Sequence, residues 1–127
     1  MQFESVRQRK LADLIKKNVS LIIDRKLKDP RKGFITITQA KISRDLRIVS
    51  LYYTVLGNEE QRKASQQALE SAKNFIRAEL APQLKLRYIP ELRFFYDDSL
   101  DYSEHIEKLL KKIKQNKEEK KNNNLID

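Results

Sequence analysis

The sequence predicts one α+β domain, in the order helix, strand, strand, helix, strand, helix, with helices on one face of a three-stranded sheet. Three observations carry this. Apolar residues recur at helical spacing from Leu11 to Ile23, switch to alternation at Phe34, and return to helical spacing after Asn58. Pro30, Pro82 and Pro90 fall at the joints between those stretches. A length of 127 residues with 39% hydrophobic content supports a single modest core.

Ser5 followed by Gln8 reads as a capping box that opens the first helix. Leu11, Leu14, Ile15, Val19, Ile22 and Ile23 form its expected apolar face. Asp29-Pro30 ends it, because the residue before proline is pushed out of the helical region, and Arg31-Lys32-Gly33 makes a basic turn. Phe34-Ile35-Thr36-Ile37-Thr38 reads as a strand. The run from Arg47 to Val55 reads as its partner, with Val49, Leu51, Tyr53 and Val55 on one face and Ser43 to Leu46 as the hairpin loop. Asn58 and Gln61 start the next helix by the same capping logic, with Ala68, Leu69, Ala72, Phe75, Ile76 and Leu80 toward the core. Pro82 stops it, Leu84 to Ile89 is an extended connector, and Leu92 to Tyr96 is the third strand. Asp101 and Glu104 are placed to cap a last helix bearing Ile106, Leu109, Leu110 and Ile113. The expected domain spans residues 1–115, and the lysine- and asparagine-rich stretch 116–127 reads as a disordered tail.

Lys and Arg number 27 against 18 Asp and Glu, a formal charge of +9. So large a surplus concentrates anions and points to nucleic acid, an anionic membrane or an acidic protein. With no cysteine, disulfides and thiolate metal sites are excluded. No apolar run is long enough for a membrane span, and Met1 to Lys10 is charged without a signal-peptide core, so a cytoplasmic protein is expected. The basic residues are spread over several elements, which counts against a membrane surface.

Catalytic constellations are poor. Asp97-Asp98 read as a turn after a strand. His105, the only histidine, reads as a surface residue, and nothing supplies an oxyanion site for a Ser99–His105 pair. Two glycines, Gly33 and Gly57, cannot build a nucleotide loop. No enzymatic activity, metal or cofactor is expected. Tyr52, Tyr88, Phe95 and Tyr102 are candidates for stacking on bases, whereas Phe34, Phe94 and Tyr53 read as core or sheet-edge residues.

Several ordered segments resemble the ribosome-binding factor A family. They are Leu27-Lys28-Asp29-Pro30-Arg31, Ser43-Arg44-Asp45-Leu46, Val55-Leu56-Gly57, Phe75-Ile76-Arg77, and Ile89-Pro90-Glu91-Leu92 through Phe95 to Ser99. The resemblance covers roughly Ser5 to Ile113. It implies a KH-like domain of the second topological type, whose second helix is two helices meeting at a kink. It further implies a factor for late maturation of the small (30S) ribosomal subunit, with that subunit and its 16S rRNA as partners. Assembly GTPases are further possible partners by the same resemblance, and support of growth in the cold is implied. A monomer is expected. An ordinary KH domain clamps RNA with a Gly-x-x-Gly loop, and this family usually has Ala-x-Gly at the kink. The matching residues here are Ala72-Lys73-Asn74. Asn tolerates left-handed backbone, so the kink is expected to survive.

The candidate RNA-contacting residues are Arg7, Arg9 and Lys10 at the first helix start, Arg31 and Lys32 in the turn, and Arg44 in the hairpin. Lys73, Asn74 and Arg77 by the kink, with Lys85 and Arg87 in the connector, complete the set. Taken singly, each cation reads as solvated surface; it is the ensemble beside the kink that points to RNA. The lysines of Lys108 to Lys121 are interspersed with acidic residues and read as a solvated helix and tail. The rival from another class is a protein-interaction adaptor whose basic face meets an acidic partner.

Overall fold

A computed structural model describes residues 4–99 and 107–116. The described residues up to Asp97 form one compact unit, and the described residues from Asp98 onward belong to another.

Helix α1 spans Val6–Arg25 and opens as its sequence requires. The Ser5 hydroxyl accepts from the Gln8 amide at 3.0 Å, and the Gln8 side-chain oxygen accepts from the Ser5 amide at 3.0 Å. Two orphan donors are thus satisfied by one pair of side chains. Strand β1 (Phe34–Ile42) pairs antiparallel with β2 (Ile48–Leu56), and β2 pairs in parallel with β3 (Glu91–Tyr96). The sheet order is β1-β2-β3. Between β2 and β3 runs helix α2, Glu59–Leu80, the crossover a parallel pair demands, followed by a 3₁₀ turn at Ala81–Gln83. Asn58 and Gln61 form a second capping box. Residues 107–116 are helical (α3) and carry Leu109, Leu110 and Ile113 exposed.

The core lies between one face of the sheet and helices α1 and α2. Val49, Leu51, Tyr53 and Val55 alternate inward along β2, as a period of two dictates, and meet Ile15, Val19 and Ile22 of α1 and Leu69, Ile76 and Leu80 of α2. The β1 strand runs four residues beyond the expected Thr38. Its register shifts between Ile37 and Gln39, where Thr38 bulges. That bulge re-phases the alternation so that Ile42 still points inward, opposite Val49. The strictly alternating pattern broke at Thr38, which hid the extension.

Three expectations change. Leu14 and Phe75 were placed toward the core but are exposed. Each stands one residue, about 100° of turn, from the buried Ile15 or Ile76, and the buried stripe is narrower than the apolar one. Phe34, expected in the core or covering an edge, is 76% exposed. It starts β1 on the face away from α1 and α2, opposite the equally exposed Leu56. Finally, α2 passes through Ala72-Lys73-Asn74 without interruption, and none of the three has a positive φ. Ala72 is buried in the helix stripe, and Lys73 pairs with Glu70 one turn back, at 2.9 Å. Both favour an ordinary helix, and no glycine is present to favour a break. The expected left-handed kink is therefore absent.

The hairpin loop holds the one non-glycine residue of positive φ among those described, Leu46 at 61°. Ser43 makes this affordable. Its hydroxyl accepts from the Ile48 amide at 3.0 Å and donates to Asp45 at 2.6 Å, while the Leu46 amide donates to the Ser43 carbonyl. These bonds, together with the partial burial of Leu46 against the core, hold a conformation costing about 1–2 kcal/mol for an L-residue.

Candidate nucleic-acid interface

Helix α1 organises the cationic surface. Its buried stripe begins at Ala12 and Ile15, so residues on either flank of that stripe line the grooves beside it. On one flank, Arg7, Lys10, Leu11 and Leu14 share a face by three- and four-residue spacing. With Lys85 and Leu86 of the connector they line an open groove of about 740 Å³. Its floor is apolar, its rim carries Arg7, Lys10 and Lys85, and among the described residues no acidic one lines it. Val6, 72% exposed, lies at its mouth. On the other flank, Arg9 and Lys16 face Lys41 and Arg44 of the hairpin across a groove of about 530 Å³ that also contains Glu4 and Asp13. Net positive charge therefore lies on both sides of one helix, and the purer patch is the Lys85 side.

The eleven sequence candidates separate into two kinds. Arg7, Arg9, Lys10, Arg44 and Lys85 are exposed, and among the described residues none of their side chains is held by a hydrogen bond or an ion pair. Arg87 is likewise exposed, its guanidinium 5.5 Å from the Tyr88 ring centre. The others, Asn74 apart, have internal partners. Arg31 forks onto Asp29, with Nη2 2.8 Å and Nε 3.1 Å from its carboxylate, and reaches Ser71 at 3.3 Å. The Arg31 hydrogen bonds hold the Asp29 carboxyl below its usual range, and Asp29 in turn raises Arg31. Lys32 Nζ donates to the Ile23 carbonyl at 2.7 Å, closing the C-terminal end of α1. Lys73 is paired with Glu70. Arg77 donates from Nε to the Pro90 carbonyl at 3.0 Å and from Nη2 to that of Ile89 at 2.8 Å. It splints the connector to α2. Asn74 is exposed on α2.

The hydroxyl of Thr38 donates to Asp97 at 2.6 Å, so that carboxylate serves the sheet end. Among the described residues no group of three or more potential ligands is placed to hold a metal ion. Tyr52 and Phe95 lie side by side on the sheet face turned away from α1 and α2, with ring centres 5.6 Å apart. Tyr53 is buried, which raises its phenol pKa, and Phe94 is half-buried against the core. His105, Tyr102, Asp101, Glu104, Ile106 and the tail from residue 117 lie outside the described residues. Sequence reasoning missed Lys16, Lys41 and Arg47. The seven-residue spacing of Arg9 and Lys16 on one helix was a signal for the first; the other two needed the hairpin register.

Fold and surface together define a small basic α+β binding domain, with its unpaired cations in grooves along α1. Comparison with known proteins narrows this. The model of the family described as ribosome-binding factor A matches residues 7–110. Ribosome-binding factor A of Macrococcus caseolyticus is 42% identical over 113 residues, covering 89% of this chain and 99% of its own. A Thermotoga maritima solution structure, of a protein named as a putative ribosome binding factor A, is 33% identical with a TM-score of 0.66. It covers 78% of this chain and 94% of its own. A Thermus thermophilus ribosome-binding factor A model fitted into the cryo-EM map of a 30S complex shares the fold at 22% identity. Its TM-score is 0.55, over 76% of this chain and 97% of its own. The chain belongs to the ribosome-binding factor A family.

Proposed function

We propose that this protein binds the small (30S) ribosomal subunit through its 16S rRNA during late maturation, without catalysing a reaction. The observation that carries this reading is the groove beside α1, where Arg7, Lys10 and Lys85 surround an apolar floor with no carboxylate lining it among the described residues. Each cation placed on a phosphate releases condensed counterions, and binding free energy is the whole mechanism. RNA conformers that fit the surface are populated at the expense of those that do not. Membership of the family described as ribosome-binding factor A supports this choice of partner. The protein acts as a cytoplasmic monomer, with assembly GTPases as further partners and growth in the cold as the setting in which its loss is felt. None of this calls for a cofactor.

The test is co-sedimentation of the Arg7→Glu/Lys10→Glu/Lys85→Glu variant with small subunits. All three side chains are exposed, so its melting temperature should stay close to that of the parent. Loss of co-sedimentation from a folded variant supports the reading, and normal co-sedimentation removes this groove from it. The apolar floor favours one rival, an acidic amphipathic segment of a protein partner. Nuclease treatment separates the two, because only an RNA-borne association is lost.

A further inference from the structure

An exposed tyrosine is common, but Tyr88 is presented in an unusual way. The connector carrying it is pinned at both ends by the buried Leu84 and Pro90. Its last carbonyls, those of Ile89 and Pro90, are held by Arg77 of α2, and the Glu91 amide donates to the Arg47 carbonyl at 2.7 Å. The backbone at Tyr88 is thus tied to α2 and to the start of β2. From this base the ring projects with 54% of the residue exposed. Two guanidiniums lie over it: Arg47 Cζ is 4.9 Å and Arg87 Cζ 5.5 Å from the ring centre. Among the described residues neither guanidinium is paired with a carboxylate. A cation beside an aromatic face is attracted by the ring quadrupole, so the three side chains hold one another in place before any ligand arrives.

The chemistry matches one kind of ligand. A flat π-surface on a fixed backbone accepts the face of a nucleobase, whatever its sequence. Guanidiniums beside it accept phosphate, and they stack on bases as well. A paired A-form helix keeps its base faces buried in its own stack and cannot use the ring. An acidic peptide would use the guanidiniums and leave the ring idle. We propose that Tyr88, Arg47 and Arg87 form a stacking site for one unpaired nucleotide, in which the base takes the place of a guanidinium over the ring and the displaced guanidinium turns to a flanking phosphate. The proposal rests on RNA being the partner and names the part of it that this end of the sheet takes: a looped-out or single-stranded residue.

Anisotropy titration of the full chain tests this, using an unstructured mixed-sequence RNA decamer and the blunt duplex of the same strand. Tyr88→Ala should weaken decamer binding by roughly fivefold to a hundredfold, the usual range for one lost stacking contact. Duplex binding should change less than twofold, and Tyr88→Phe should restore the decamer. Arg47→Gln/Arg87→Gln should weaken the decamer and make its log–log salt slope shallower by about 1.4. Unchanged decamer affinity in Tyr88→Ala, or an equal loss on both probes, overturns the stacking site. If in that case the Arg7/Lys10/Lys85 variant still loses subunit binding, the RNA reading stands and only the Tyr88 assignment falls. If the parent chain binds neither probe nor the subunit, both fall.

Discussion

Asn74 offers a test that turns on sign as well as size. It sits on the exposed side of α2, in uninterrupted helix, at the position where the family resemblance implied a kink. In a helix interior Ala is the best residue, and Gly is about 0.8–1.0 kcal/mol worse. Asn lies between them, so Asn74→Ala should stabilise the protein by roughly 0.5 kcal/mol and Asn74→Gly should cost a few tenths. The two variants should differ by about 1 kcal/mol in favour of Ala. A left-handed backbone at this site would reverse the order, because there an L-residue costs about 1–2 kcal/mol and glycine does not. Urea unfolding of the two variants measures the difference directly. Thermal unfolding should separate them by about 4–8 °C per kcal/mol for a unit of this size. A glycine variant more stable than the alanine variant would refute the continuous helix.

Other substitutions probe the splints around the interface. Arg77→Leu should cost about 1–3 kcal/mol, since it strips the donors from the Ile89 and Pro90 carbonyls, and Arg77→Lys should recover only part because lysine lacks the fork; an unaltered urea midpoint would show that the splint contributes nothing. Ser65→Ala should cost about 1–2 kcal/mol, because the buried hydroxyl donates to the Lys32 carbonyl at 2.7 Å, again read as a urea midpoint. The Asp45 carboxyl, hydrogen-bonded first by Ser43 and then by the Arg47 amide, should titrate by NMR below its ordinary 3.8. Its contribution is present above the unfolded-state pKa and is lost as pH falls through the depressed folded value, so a midpoint at or above 3.8 would contradict the hairpin geometry.

Much of the fold was legible because local signals agree with one another. The capping boxes at Ser5–Gln8 and Asn58–Gln61 mark both long helices, and the alternation of Val49, Leu51, Tyr53 and Val55 marks the central strand. What escaped depends on three-dimensional context. The bulge at Thr38 breaks the alternation that defines β1. Leu14 and Phe75 lie at the margins of apolar stripes, and the amount of covering surface, which no helical period reveals, left them exposed. For the interface, sequence named the right type of residue but not its state. Arg77 and Lys85 look alike as cations in a row, yet one is committed to two carbonyls and the other is free in a groove. The kink shows the opposite limit. Family resemblance suggested a break, whereas unaided periodicity indicated one helix from Asn58 to Ala81, and α2 follows the periodicity.

The account depends most on polyanion being held by the unpaired cations along α1. The slope of log affinity against log salt for small-subunit rRNA measures this, compared between the parent and the Arg7→Gln/Lys10→Gln/Lys85→Gln variant. If those side chains each neutralise a phosphate, the variant's slope should be shallower by about 2.7. Equal slopes in the two proteins would mean that RNA is held elsewhere.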